Sequence, residues 1–548
     1  MGRKVGYPFI VPVLLLGLLA WSPKLMSGGK QSTKGSTTAI PGFQTSDRCV
    51  ACHNGMKTEA GADYSIGLDW RASIMANSSR DPYWQGSVRR ETIDHPTAAA
   101  EIQDECSHCH MPMTYFDAHA QQKKVDVFSH LPFDPDKKEN AKAADGVSCA
   151  VCHQISKQNL GTPASYVGNF VIDPPEAPNR RPEHGPFVID AGHQRVMQSS
   201  TGGFLPEEGT QIRDSALCAT CHTLYTTALD KDGKPAGRLP EQVPYQEWQH
   251  SDYAGKSSCQ SCHMPEVKEK TPVTSLFGEL RQGARHHSFV GANFFMQRIL
   301  SNYRQDLSVA ALPAELSAAA ERTVNFLQSQ SARVSIQSLE TGEGKLRVDV
   351  FVENLTGHKL PTAYPSRRAW LHVVIHDRNG RTVFESGALN QDGSIQGNVN
   401  DTDPSRFEPH FREITSGDQV EIYEPILKDS EGHVTTGLLT AVGYLKDNRL
   451  LPRGFDKSTA EKDIAVAGDA TEDPNFNDKG SVVRYSPAVD PSAGPFHIEV
   501  ELWYEPIGFR WAHNLGTYQA DEPQRLVSYY DSLASSAAVI LAKTEATK

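Results

Sequence analysis

Residues 104–113 read DECSHCHMPM, which places two cysteines and two histidines within the five positions from Cys106 to His110. A helix turns about 100° per residue, so with Cys106 at 0° Cys109 falls near ~300° and His110 near ~40°. Two thiols and one imidazole therefore share a face. His108, at about 200° on the same wheel, points the other way. It reads first as a solvated side chain, and otherwise as a contact to a neighbouring group.

The pattern recurs along the chain. All ten cysteines fall into pairs, Cys49/Cys52, Cys106/Cys109, Cys149/Cys152, Cys218/Cys221 and Cys259/Cys262, and each pair is followed by a histidine: His53, His110, His153, His222 and His263. The motifs are CVACH, CSHCH, CAVCH, CATCH and CQSCH. In this spacing two thiols add to the vinyl groups of one porphyrin, while the next residue turns its imidazole onto the iron from the same side. One such motif would also suit half a zinc site or a redox pair. Five that consume every cysteine do not, nor do they form a disulfide framework. The chain is therefore expected to carry five covalent c-type haems. The irregular intervals between motifs exclude a simple tandem repeat, although CHMP recurs at Cys109 and Cys262, with the proline ending each motif helix.

A chain of 548 residues calls for at least two domains. A net charge of -12 with no basic run beyond the N-terminus argues against nucleic-acid binding. At the start, Arg3 and Lys4 precede an apolar stretch from Ile10 to Trp21, which reads as a secretory signal or a retained anchor. The organisation expected is a signal peptide or anchor over 1–30, a linker over 31–46, a pentahaem domain over 47–300, a connecting helix over 301–330 and a β-sandwich with a C-terminal tail over 331–548. The helix follows from Pro313 at its start and from Leu316, Ala320, Val324 and Leu327 on one face. The sandwich follows from period-two alternation in KLRVDVFVEN and FHIEVELWY, supported by RVSIQSL, AWLHVVIH, RTVFES and QVEIYEP. The fold class is thus α+β: a mostly helical or irregular haem domain followed by an antiparallel, immunoglobulin-like sandwich. Irregular inserts are expected over 387–418 and 447–482.

From Asp47 to Met296 the chain resembles multihaem cytochromes c of the c554-like type, related to decahaem and nitrite-reductase-like electron carriers. The stretches that carry the resemblance are DWRASIMANSSRDPYW, ECSHCHMPM, DGVSCAVCHQI, LCATCHTLY, SCQSCHMP and HHSFVGANFFM. The CxxCK haem site of cytochrome c nitrite reductases is absent, which counts against nitrite reductase activity.

A carrier haem needs a second axial ligand, whereas an enzymatic haem leaves that position open. Placement between motifs nominates His95, which precedes Pro96, along with His130 and His250; His184 and His193 are second choices. The resemblance adds His287 over its neighbour His286. It also nominates Met75, which is either a ligand or a core methionine beside a porphyrin, and His358 in NLTGHKLPTAYPSRRAW. Lys359, Arg367 or Arg368 would then neutralise propionates. The acidic loops around Asp401, Asp403, Asp469 and Asp473 read as solvated turns rather than calcium sites.

The leading expectation is an exported electron carrier, periplasmic or at the cell surface, that exchanges electrons with redox proteins or a membrane quinol-linked donor. It is oligomeric or not, and its N-terminus offers a membrane attachment. The alternatives are an oxidoreductase with one open haem acting on a small nitrogen or sulfur oxyanion, and a protomer of a conductive filament.

Overall fold

The computed structural model describes residues 42–174, 180–230 and 232–548, together with Gly2. The signal or anchor expected over 1–30, apart from Gly2, and most of the expected linker lie outside the described residues. Among the described residues no helix is long and apolar enough to cross a membrane. Residues 41–548 form one compact unit.

The fold is α+β. In the first half, short helices alternate with irregular segments and two-stranded ribbons. The main helices are α1 (Pro82–Asp94), α2 (Ala99–His110), α3 (Phe294–Asn302) and α4 (Pro313–Gln330). Asp81 caps α1 by accepting from the amides of Tyr83 and Trp84, and Pro82 presets its first turn. The proline expected to stop the second motif does so: α2 ends at His110, and Pro112 opens the helix Pro112–Ala120.

The second half is built on seven longer strands: β1 (Ala332–Gly342), β2 (Lys345–Asn354), β3 (Arg368–His376), β4 (Thr382–Ser386), β5 (Gly480–Tyr485), β6 (His497–Glu505) and β7 (Val539–Thr547). One sheet runs β5-β2-β1 and the other β4-β3-β6-β7. The two sheets face each other across one apolar core, with β4 on the sheet of β3, β6 and β7. Pairing is antiparallel throughout these seven, and Glu413–Ile414 adds a short parallel rung on β5. Alternation places Leu346, Val348, Val350 and Val352 of β2 in one core with Ile498, Val500 and Leu502 of β6. All seven are fully buried, each stabilising the fold by roughly 1.5–3 kcal/mol.

The C-terminal stretch is part of this packing. It holds helix α5 (Asp521–Leu533), packed on α1, and strand β7, paired along the length of β6. Helices α3 and α4 share the sandwich core, as do Ala72 and Tyr83 from the half that bears the cysteine motifs. The two halves are thus joined by a common apolar interior.

Candidate functional site

All five motifs sit on short helices: Asp47–Val50 running into Cys52, α2, Cys149–Gln154, Ser215–His222 and Cys259–His263. They open onto one continuous cavity of about 1760 Å³. Its walls carry every motif histidine and nine of the ten cysteines, Cys52 being the exception. No disulfide links the cysteines. Thiols from different motifs meet instead: Cys49 contacts Cys149, Cys109 contacts Cys221 and Cys218 contacts Cys259. The motifs are therefore neighbours in the order one-three, two-four and four-five.

The imidazoles are held in a common way. His53, His110, His153 and His263 donate from Nδ1 to the carbonyls of Val273, Ser78, His184 and Val290, at 2.6, 2.9, 2.6 and 2.6 Å. A carbonyl oxygen only accepts, so each Nδ1 carries the proton and each Nε2 presents a bare lone pair. Burial pulls all four below the ordinary histidine range, and His110 falls to about 4. His222 is likewise lowered to about 4 by burial. These rings are neutral at neutral pH, as metal ligation requires.

Two further histidines share this arrangement. His287 donates from Nδ1 to the Arg285 carbonyl at 3.0 Å, and His358 to that of Lys359 at 2.9 Å. The His287 ring lies 6.4 Å from that of His153 with an interplanar angle of 18°, and the His358 ring lies 6.2 Å from that of His263 at 10°. Metal–imidazole bonds are about 2 Å long, and the ring centre lies roughly 1 Å behind the nitrogen, so one iron between two imidazoles sets the ring centres about 6 Å apart. Both pairs fit that spacing. The cavity, the donor set and the paired rings together fit covalent haem.

The segment bearing His358 is clamped across the two halves. Glu247, fully buried, accepts from the Lys359 amide at 3.0 Å and from the Thr362 hydroxyl, and pairs with Arg449 at 3.1 Å. Gly357 lies so close to Trp248 and Tyr253 that a Cβ there would stand 3.3 Å from both. Tyr253 donates to the Leu355 carbonyl at 2.7 Å.

The remaining sequence candidates are placed as follows. Met75 lines the cavity. Its carbonyl accepts from Val147 at 3.0 Å, an approach allowed by Gly146 at φ +59, where a Cβ would collide with the Met75 and Ala76 carbonyls. His184, a second choice, also lines the cavity and has a buried Nδ1 with no partner. The cavity lining does not include His95, His130 or His250. His95 lies beside the Glu91 carboxylate, His130 meets Asn140 at 2.9 Å, and His250 meets the Asp456 carbonyl at 3.3 Å. His193 is held at the surface by Asp190 and the Phe277 carbonyl, and His286 by Asp69.

Several expectations are corrected. His108 is buried, not solvated: it stacks on Tyr115 at 3.9 Å and meets Phe116 and Phe170. Lys359 and Arg368 are consumed in buried ion pairs, the first with Asp447 at 2.7 Å, the second with Asp401 and Glu505 at 2.8 and 2.7 Å. Of the three cations proposed for propionates, only Arg367 lines the cavity. The acidic loops are not simply solvated, since Asp401 pairs with Arg368 and Asp473 with His410, both buried.

Sequence reasoning also missed the aromatic support of the second motif. The Trp84 indole stacks on His110 at 4.5 Å and 6°. The tryptophan falls in the quoted stretch DWRASIMANSSRDPYW, but nothing local signals which ring it meets.

No family model matches the chain, and no curated protein matches it. Among solved structures the fold is similar to that of a penta-heme cytochrome c552 from Thermochromatium tepidum, at 15% identity and a TM-score of 0.50. The match covers 92% of this chain and 99% of that one.

Proposed function

We propose that the chain is a pentahaem c-type cytochrome that transfers single electrons. The observation that carries this reading is the single cavity into which five CxxCH motifs converge, with imidazoles paired at the third and fifth. Bound haems supply one-electron iron couples. The chain does the rest: it fixes Nε2 of His53, His110, His153 and His263 toward the cavity through an Nδ1 bond, excludes water by burial and sets neighbours through thiol contacts. His153 with His287, and His263 with His358, are the axial pairs in this reading. His184 and Met75 are the remaining cavity-lining candidates for second ligands. The likeness in fold to a penta-heme cytochrome supports the same count.

In this proposal the chain is exported, because c haems are attached on the exported side, and the sandwich serves as an assembly surface. A second reading, an oxidoreductase with an open haem, draws on one observation. Among the described residues, no second imidazole lies parallel to and about 6 Å from His53, His110 or His222, the spacing an axial pair needs. Intact-mass measurement and potentiometric titration of the purified holoprotein test the proposal: five covalent haems with five one-electron steps are expected. Fewer haems, or a single iron that binds nitrite or hydroxylamine and turns it over, would reject the carrier in favour of the enzyme.

A further inference from the structure

The strand Pro235–Gln242 pairs with Leu224–Leu229, and near its end Glu241 lines the cavity. Glu241 is only 4% exposed. It accepts from the Thr226 hydroxyl at 2.5 Å and from the Gln242 side-chain amide at 3.5 Å, both neutral donors. Among the described residues no Lys, Arg or His pairs with it, whereas the buried carboxylates Glu247, Asp447 and Glu505 each meet an arginine or a lysine. Arg238, on the same strand, lies over the Tyr225 ring instead.

The groups that face Glu241 from the elements packed around it are acids, thiols and phenols. Glu91 of α1 and Glu105 of α2 oppose its charge. Its own charge reaches Cys106 and Cys109 of the second motif, along with Tyr364 and Tyr444. Glu91 is better served, since it accepts from the Leu438 and Leu439 amides at 2.8 and 3.4 Å and lies beside Arg90. Burial, with Glu91 and Glu105 adding to it, pushes Glu241 up to about 7 against the bonds from Thr226 and Gln242. A porphyrin seated in the cavity would bury this carboxyl further, which favours the neutral acid.

We propose that Glu241 is a proton site tied to the second motif: it takes one proton from solvent as the haem there gains one electron, and releases it as the electron leaves. This rests on the proposed function, which supplies the haem and the one-electron donor. One electron goes to the iron and one proton to the carboxylate; an O–H bond forms and no other bond changes. The cause is electrostatic. An electron added in a water-poor interior repels a nearby carboxylate charge, and the proton removes that charge. Linkage makes the effect mutual, so the proton favours the electron by the same factor.

Potentiometric titration of the haem-loaded protein across neutral pH tests this, with peptide mass confirming a haem on Cys106 and Cys109. In the wild type one haem is expected to become harder to reduce as pH rises, by as much as ~10-fold per pH unit, or ~59 mV for a one-electron couple. Glu241→Gln is expected to remove that dependence and to hold the potential near the wild type's low-pH value, because the amide mimics the neutral acid. Glu91→Gln is expected to keep it. Five haems with no pH dependence overturn this proposal alone, and so does a dependence that persists in Glu241→Gln, which assigns the proton to haem carboxylates, or one lost only in Glu91→Gln. A second motif without haem overturns the pentahaem reading as well. Infrared difference spectra of the wild type, reduced minus oxidised, need no variant: a carboxylic-acid C=O band that shifts in deuterated water is expected on reduction, and its absence overturns the proposal.

Discussion

The motif half and the sandwich half solve the problem of an interior in opposite ways. In the sandwich, alternating strands fill the space with side chains, and Val348, Val350, Ile498 and Val500 have no exposed surface. In the motif half the apolar clusters are small and separate, grouped around Trp84, Phe43, Met56 and Tyr166, and beside them lies the cavity the motifs line. If the proposed haems fill that cavity, the first half depends on them for cohesion, and the second does not.

The largest effect expected from this contrast comes from removing both thiols of the fourth motif, Cys218→Ala with Cys221→Ala. Their contacts reach motifs five and two, so the variant should lose one haem by mass and lose the cooperative melting of the motif half. A variant that melts like the wild type would show that the side chains alone sustain that half. Next is the clamp between halves. Glu247→Ala leaves the Lys359 amide and part of the Arg449 charge unpaired in the interior, at a cost of about 3–5 kcal/mol in chemical denaturation. It should also shift the potential of the fifth haem, because the displaced loop carries His358.

Smaller effects belong to the sandwich. His410 is buried between Glu421 and Asp473, at 2.8 and 3.1 Å. Burial opposes its charge, but the two carboxylates prevail and hold it above the ordinary histidine range. A raised folded value means that its contribution is complete below the unfolded value of about 6.5 and is lost as pH rises through the folded one, with a slope of up to about 1.4 kcal/mol per pH unit. Stability against pH should fall across that window in the wild type, and the fall should vanish in His410→Asn. The smallest is Ile498→Val, which removes one methylene from a filled core and should cost about 1 kcal/mol with no change in haem absorbance.

The contrast also explains what was legible in the sequence. The motifs were readable because their chemistry is local, five consecutive positions that one helical turn aligns. The strands were readable for the same reason, since alternation in β2 and β6 is itself the core. Partners brought from elsewhere in the chain were not readable by position. His95, His130 and His250 were chosen for lying between motifs, yet the cavity wall is made by chain segments that return from far away, as with His287 and His358. The wheel turned His108 away from its own motif correctly, but it could not show that Tyr115 and Phe170 cover the opposite face. Lys359 and Arg368 looked like free cations because their carboxylate partners, Asp447, Asp401 and Glu505, are remote in sequence.

The central claim is that the cavity's paired imidazoles flank iron. Low-temperature electron paramagnetic resonance of the oxidised holoprotein, wild type against His358→Ala, tests it most directly. The account predicts low-spin signals from two near-parallel imidazole pairs, with one of them replaced by a high-spin signal in the variant while the other four haems are unchanged. An identical spectrum from both proteins would contradict it.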